Sequence, residues 1–364
     1  MPSTKNTNPL FISRALPYLG GREVIVEELI NHYSATGLSL ITPDWRRKRR
    51  KVPTVDAEKP RTEILKWVKK QNIDVISCHT FYLAELAFFL ARELKKPLVF
   101  TLHGVFIKYY GNKYKIFLRN IYKNSDRVIT VCDGLKKELK SYLKDSSKLS
   151  TVKNGISLHS IDRLRGSKWY YRKKTGLPKS KFIVVTPARL NPIKGLEYLM
   201  RAAGKIGSKD VLFVVLSPKG RNVKEEVRYK KVLMKTSHNV RNVMFRTLSH
   251  LEVLEHYKAA DLMMLPSLTE GISVSVLEAM ASFLPVVTTR VGGNPEVIKS
   301  GENGFLIRSR NPSDIKKAIF RIKNGKDIPK IVEAARKTVV KNFSSDIMLM
   351  KYDRIFKEVI HENK

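Results

Sequence analysis

Short apolar runs alternate with amphipathic stretches along the whole chain. In the first half PLFIS, LSLIT, DVISCH, PLVFTLH, RVITVC and LSTV are β-branched or large apolar runs and predict strands. Between them, helical periodicity occupies Glu23–Ala35, Arg61–Gln71, Ala84–Leu94, Lys113–Lys123 and Gly134–Leu143. The second half repeats the scheme with FIVVTPA, VLFVVLS, NVMFR, DLMMLPS, PVVTTR and GFLI. Its helices are expected near Leu196–Ile206, Lys224–Lys235, Leu251–Ala259, Val274–Ser282 and Ile315–Ile322. Strand–helix alternation of this kind implies parallel sheets covered by helices on both faces. Two successive arrays imply an α/β protein of two doubly wound, Rossmann-like domains.

A chain of 364 residues also exceeds one ordinary core and fits two domains of roughly 150–200 residues. The boundary is expected between Asn154 and Lys181, where HSIDRLRGSKWYYRKKTGLPKSK is polar, basic and poor in apolar periodicity. Placed within this stretch, the division gives 1–160 and 161–345. A last helix, about Asp346 to Ile360 within 346–364, has no strand after it and is expected to pack back onto the first domain. In open α/β sheets ligands bind beyond the carboxyl ends of the strands, so two facing domains would form a cleft walled by strand ends.

Composition changes the picture in one respect. Hydrophobic content of 43% is ordinary for a globular protein. The longest apolar stretch, Phe81 to Leu94, is interrupted by Glu85 and Arg92, which argues against a membrane span. The N-terminus lacks the apolar core and small-residue cleavage site of a signal peptide, so a cytoplasmic location is expected. Cys78 and Cys132 lie far apart in strand-like runs and read as buried, reduced thiols. The formal net charge of +36, however, will draw the surface to polyanions: nucleic acid, anionic lipid or phosphorylated ligands. It is concentrated in WRRKRRK (Trp45 to Lys51) and in FIKYYGNKYKIFLRNIYK, where lysines alternate with aromatic residues from Lys108 to Lys123. That interleaving suits a helix at an anionic membrane surface, with rings dipping in and ammonium groups snorkelling.

Candidate chemistry clusters in the second half. EGISVSVLEAM places Glu270 in a loop and Glu278 in the following helix, so that one segment can grip two parts of an extended polyhydroxylated ligand. In VVTPARLNPIKGLEYLMRA, Arg189 and Lys194 fall in the loop leaving a strand, and Gly195 opens the next helix. A guanidinium fork, a point charge and a helix N-terminus suit a diphosphate, and would stabilise it as a leaving group. There is no GxGxxG, GxxxxGK, GxSxG or DxD pattern, and the eight histidines show no metal-ligand spacing.

PARLNPIKG, PSLTEGISVSVLEAMASFLPVV and VGGNPEVIKSGENGFLI, in that order, resemble the C-terminal domain of glycosyltransferase family 4, retaining enzymes of the GT-B fold. YLGGREVIVEELINHYSATG, KKPLVFTLHG, NSDRVITVCDGLKKEL and STVKNGI are similar to the family's N-terminal domain. The resemblance covers about Pro9 to Ile360. It implies that Arg189 and Lys194 hold the donor diphosphate, that Glu278 accepts hydrogen bonds from ribose hydroxyls, and that Glu270 faces the donor sugar. The amides after Gly271, at Ile272 and Ser273, would bind sugar or phosphate oxygens at a helix N-terminus. Gly20 and Gly21 would let the backbone approach a phosphate, and His103, at a strand's carboxyl end, would reach the sugar.

Three positions depart from the family pattern: Ser273 replaces a common proline, Ser157 ends the NG-hydrophobic-Asp element, and SPKG (Ser217 to Gly220) replaces a glycine-rich turn. These leave the phosphate and sugar contacts in place and bear on the nucleotide base. The resemblance implies transfer of a glucose- or mannose-like hexose from a UDP- or GDP-sugar to a hydroxyl acceptor, with retention and without a metal or bound cofactor. A glycan or lipid-linked acceptor would place the enzyme peripherally on the cytoplasmic membrane face. The contrasting reading is a nucleic-acid or other polyanion-binding protein on an inactive scaffold; a third is an enzyme steering a phosphorylated acceptor by its charge.

Overall fold

The computed structural model describes residues 7–13, 21–33, 36–39, 54–56, 59–104, 107–206, 210–218, 224–236 and 240–364. The chain divides into two compact units: Met1–Gly155 with Ser345–Lys364, and Ile156–Ser344.

The first unit is built on a parallel sheet of β1 (Pro9–Ser13), β2 (Thr36–Ser39), β3 (Thr54–Asp56), β4 (Val75–Cys78), β5 (Leu98–Leu102), β6 (Arg127–Thr130) and β7 (Leu149–Thr151). Their spatial order is β3-β2-β1-β4-β5-β6-β7. The strand order reverses between β1 and β4, which makes their carboxyl ends the switch point where such sheets bind ligands. β1, β4 and β5 are buried along their whole length, as central parallel strands covered on both faces must be. The terminal helix Ser345–Glu362 belongs to this unit. Its Tyr352 hydroxyl lies 3.2 Å from Thr101 Oγ1, its Asp353 accepts a hydrogen bond from Tyr33, and its Phe356 ring packs 6.2 Å from Phe11.

The second unit has six parallel strands: β8 (Phe182–Pro187), β9 (Val211–Pro218), β10 (Val243–Leu248), β11 (Leu262–Leu265), β12 (Val286–Thr289) and β13 (Phe305–Ile307). The order β10-β9-β8-β11-β12-β13 puts its switch point between β8 and β11. Val184, Phe213, Val215, Leu262, Met264 and Val287 meet Leu196, Leu199, Ala203, Ile315 and Ile319 of the covering helices in one core.

The polar stretch expected to carry the boundary is folded into the second unit. It forms the helices His159–Asp162 and Lys168–Thr175, and one buried guanidinium organises it. Arg172, 2% exposed, donates from Nε to Ala259 O at 3.0 Å and from Nη1 to the carbonyls of Pro178, Lys179 and Lys181 at 2.9–3.1 Å. Its Nη2 pairs with Asp261, whose Oδ2 also accepts from the Ile183 amide at 2.7 Å. Charge substitutes here for apolar periodicity, which is why hydrophobic patterning misses the element. β3, with three residues at the sheet edge, and the helix Ile328–Asn342 are likewise unmarked by the pattern. That helix buries only a narrow stripe, Ile331, Ala335 and Val339.

Candidate functional site

Four side chains expected at a donor site lie on the second unit, at or beside its switch point. Asn191 starts a short turn after β8, its side chain accepting from Ile193 N at 3.0 Å with Pro192 following it. This turn, Pro192–Lys194, ends at Gly195 with φ +63°. A Cβ at Gly195 would lie 2.1 Å from Pro266 O, so only glycine lets this turn sit against the loop leaving β11. Leu268 N bonds to Ile193 O at 2.8 Å and fastens the two loops together.

That docking brings Lys194 to Glu270: Nζ lies 2.5 Å from Oε1, with the two side chains 17% and 10% exposed. Ser267 Oγ donates to the same carboxylate oxygen at 2.6 Å, and Thr289 Oγ1 holds the Ser267 carbonyl at 2.5 Å. A second glycine constraint supports the loop from below. Gly292 has φ +53°, and a Cβ there would fall 1.7 Å from Glu270 O, while Gly293 N bonds to Gly271 O at 2.9 Å. Arg189 is partly buried in the loop that leaves β8, five residues before Lys194.

Gly271, Ile272 and Ser273 are buried and lead into the helix Val274–Ala281, with Ser273 at its N-cap position. The Ser273 hydroxyl does not cap the helix; it lies 3.0 Å from Ser275 Oγ. The helix N-terminus therefore lacks a side-chain cap, a disposition that favours an anionic or oxygen ligand. Glu278 lies one turn further along, 5% exposed, and its Oε1 is 2.6 Å from His250 Nε2. His250 opens the helix His250–Ala259, which Ser249 and Glu252 start with a reciprocal capping box. The sequence marks the capping box; nothing in it marks His250 as the partner of Glu278, 28 residues away.

The remaining expected residues belong to the first unit. Gly21 opens the helix Gly21–Tyr33, whereas Gly20 lies outside the described residues, as do WRRKRRK and the end of SPKG. His103 immediately follows β5, partly buried. Its Nε2 lies 3.1 Å from His79 Nδ1, and His79 Nε2 lies 3.0 Å from Ser77 Oγ. Burial, with the nearby Arg22 charge, lowers the His79 pKa to about 3. Burial, His79 and Arg22 together hold His103 well below the ordinary histidine value. Both rings are therefore neutral at physiological pH. Sequence reasoning missed His79 and Ser77; their i, i+2 spacing at the carboxyl end of a central strand was the available signal.

The basic aromatic stretch forms the helix Ile107–Lys123. Gly111 breaks it, at φ +66° and ψ −154°. The Tyr114 and Phe117 rings turn inward, 5.4 and 5.7 Å from Phe81, and Tyr122 donates to Asp145 at 2.9 Å. Tyr114, Phe117 and Tyr122 are partly buried, and the exposed positions among described side chains include Ile116, Arg119 and Lys123. Cys78 and Cys132 are free and buried, and burial pushes the Cys78 thiol up to about 12. Among the described residues no group of three or more His, Cys, Asp and Glu could hold a metal ion, and no helix is long and apolar enough to cross a membrane.

Two doubly wound units, one with cations and carboxylates gathered at its switch point, have the architecture of the GT-B fold. Residues 19–160 match the family model described as Glycosyltransferase Family 4, and residues 167–338 match Glycosyl transferases group 1. The chain belongs to this glycosyltransferase family. A glycosyltransferase of Methanocaldococcus jannaschii is 29% identical over 304 residues, covering 80% of this chain and 75% of its own. The UDP-Gal:alpha-D-GlcNAc-diphosphoundecaprenol alpha-1,3-galactosyltransferase of Escherichia coli is 24% identical, covering 81% and 78%. The solved structure of Anabaena HepE in complex with UDP-glucose shares the fold at a TM-score of 0.83, with 17% identity and coverage of 97% and 100%.

Proposed function

We propose that this glycosyltransferase moves a hexose from a nucleotide-sugar donor to a hydroxyl acceptor with retention at the anomeric carbon. The observation that carries the reading is the junction of Lys194, Glu270 and Ser267 at the switch point, with Glu278 in the helix that follows. An ammonium has three donors. Lys194 can keep Glu270 with one and offer the others to a diphosphate, alongside Arg189 and the first-turn amides of Val274–Ala281. Glu270 then presents a carboxylate oxygen to sugar hydroxyls, and Glu278, steadied by His250, accepts from the ribose. His103 is the residue of the first unit assigned to a sugar hydroxyl.

Charge on the departing diphosphate grows as the glycosidic bond breaks. Donors fixed in a partly buried site meet that charge without reorganising, which is the main source of acceleration in this scheme. The leaving phosphate oxygen, on the same face as the incoming hydroxyl, takes its proton, so no enzymic nucleophile is needed. Arg189 and Lys194 supply the electrostatic role that a metal ion fills elsewhere.

For the acceptor, the charge of +36 favours one that is anionic or lies at an anionic surface, such as a lipid-linked carrier or glycan. The Escherichia coli relative is named for a diphosphoundecaprenol acceptor, which supports this reading. Incubation with UDP- and GDP-sugars, followed by NMR of the released or transferred sugar, tests the proposal. The expected first product is the α-anomer from an α-linked donor. The β-anomer would contradict retention, and no turnover with any donor would contradict the transferase reading.

A further inference from the structure

The edge of the second sheet at β13 carries a cleft of about 390 Å³ with an apolar floor and a cationic rim. Half-buried Phe305 and Leu306 form the floor with Ala318 of the helix Pro312–Asn324. Arg290, Arg308, Lys317 and Arg321 stand around it against one lining carboxylate, Asp314. Lys317 and Arg321 are four residues apart on that helix and so share one of its sides. The Arg321 guanidinium lies 5.4 Å over the Phe305 ring. Arg308 binds both oxygens of Asp314, from Nε at 2.8 Å and Nη2 at 2.9 Å, which fixes its guanidinium and leaves Nη1 without a partner among the described residues. Arg290 and Lys317 make no ion pair among the described residues.

The backbone of the edge decides between two kinds of occupant. An added peptide strand needs the outward amides of β13. Ile307 O accepts from Arg290 N at 2.9 Å, so Ile307 faces β12 and the outward groups belong to Leu306 and Arg308. Leu306 N already bonds to Ser300 Oγ at 3.0 Å, and Arg308 N to Asp314 Oδ2 at 3.3 Å. The chain thus covers its own edge, a protection against strand addition. A small ligand fits what is left. The volume lies in the range of small-molecule sites, guanidinium groups suit a phosphate, and the floor offers apolar surface to the rest of the molecule.

We propose that this cleft binds a small organic phosphate, its phosphate among Arg290, Arg308 and Lys317 and its apolar part against Phe305 and Leu306. It is separate from the donor site, since it lies at β12 and β13 whereas Lys194 and Glu270 follow β8 and β11. One short turn joins the two. Val291, after Arg290, donates from N to Thr289 O at 2.9 Å. Gly292 packs against Glu270 O, and Gly293 N bonds to Gly271 O at 2.9 Å. A phosphate that holds Arg290 therefore bears on the turn beneath the Glu270 loop, which makes the cleft an effector site for the ligand of that loop. The effector role rests on the proposed donor role of Glu270; the binding does not.

Phenyl phosphate is the probe, with inorganic phosphate and phenol as its separate halves. Amide NMR of the full chain should show one saturable site, with shifts at Arg290, Leu306, Arg308 and Lys317 that extend to Gly293 and Gly271. Phenyl phosphate should bind about ten-fold more tightly than inorganic phosphate, the worth of burying the ring, and phenol should not fill the site. Arg290→Gln and Lys317→Gln should each weaken the probe about five- to ten-fold, whereas Lys337→Gln, an exposed lysine on another helix of the unit, should not. Lys194→Ala should bind it as wild type does. Shifts scattered over the basic surface without saturation, or equal affinity in Arg290→Gln and Lys317→Gln, would overturn the inference. So would loss of the probe in Lys194→Ala, which would put it in the donor site, or an acidic peptide bound through Arg290 by a protein indifferent to phenyl phosphate. Filling the cleft should change nucleotide-sugar affinity by about two-fold or more; unchanged affinity with Gly271 unshifted would remove the effector role. Saturable phenyl phosphate binding by a protein that takes no nucleotide sugar would support the cleft while counting against the transferase reading.

Discussion

Lys194 and Glu270 are joined across two loops that leave different strands, Nζ to Oε1 at 2.5 Å, although 76 residues separate them in sequence. Neither side chain is fully exposed, and Ser267 holds the shared oxygen from the other side. The pair fixes two opposite charges at the switch point of the second sheet before any ligand arrives. Charge-assisted hydrogen bonds are worth roughly 1.5–3 kcal/mol each. Lys194→Ala should therefore lower kcat/KM about ten- to two-hundred-fold. Circular dichroism and thermal unfolding should stay close to wild type, since Ser267 still satisfies Glu270; a collapse of the fold would instead make the pair structural.

Glu278 depends on His250 for its orientation. Replacing His250 by alanine leaves a carboxylate that is 5% exposed without its 2.6 Å partner. Donor affinity should fall by about ten-fold, the worth of one such bond, with little change in kcat. A binding titration with the free nucleoside diphosphate checks this, because the effect should persist when the sugar is absent. An effect confined to the intact nucleotide sugar would move His250 to a different role.

Two glycines shape the loops that carry the site. Gly292→Ala places a Cβ at φ +53°, 1.7 Å from the Glu270 carbonyl oxygen. Left-handed backbone alone costs a non-glycine residue about 1–2 kcal/mol, and the collision forces the Glu270 loop to move. Activity should drop well beyond the loss of stability read by denaturant unfolding. Gly301, also at positive φ but with open space around its Cβ position, is the control: Gly301→Ala should bear only the backbone cost.

Arg172 predicts a stability effect remote from the chemistry. Its guanidinium makes five hydrogen bonds in a buried setting, one of them to Asp261. Arg172→Leu removes them while leaving Asp261 and four carbonyls behind, a change that costs about 3–5 kcal/mol for a broken buried pair. Differential scanning calorimetry should show a lower unfolding temperature. Unfolding unchanged by the substitution would remove Arg172 from the account of the boundary segment.

Acid should destabilise the first unit through His79 and His103. The folded-state pKa of His79 is lowered to about 3, below the roughly 6.5 of an unfolded histidine. Between those values the unfolded chain binds more protons, so stability rises with pH and is lost as pH falls from about 6.5 towards 3. Each ring contributes a slope of at most about 1.4 kcal/mol per pH unit in that window. His79→Asn should flatten the acid limb of the stability profile by one proton. A profile identical to wild type would show that His79 is protonated in the folded protein.

Much of the architecture is legible from hydrophobic spacing. Ala84–Leu94 and Leu196–Ile206 stand where periodicity puts them, because each buries an uninterrupted apolar stripe against central strands. What stays hidden depends on pairings between distant residues. The boundary segment reads as polar because its organiser is Arg172, and a buried guanidinium looks like any other basic residue in a chain of net charge +36. Arg189, Lys194, Glu270 and Glu278 can be named from loop position and resemblance, whereas Ser267 and His250 only emerge once loops and helices meet. The aromatic helix is legible as a helix, but its ring contacts are not. Alternating Lys and aromatic residues give no sign that Tyr114 and Phe117 pack on Phe81.

The most direct test of the central claim is calorimetric titration of wild-type protein and Lys194→Ala with UDP- and GDP-sugars. Wild type should bind one nucleotide class saturably, and the variant should bind it at least ten-fold more weakly. Equal affinity in both proteins, or no binding of any nucleotide sugar by a folded protein that takes up nucleic acid with a steep salt dependence, would contradict that claim.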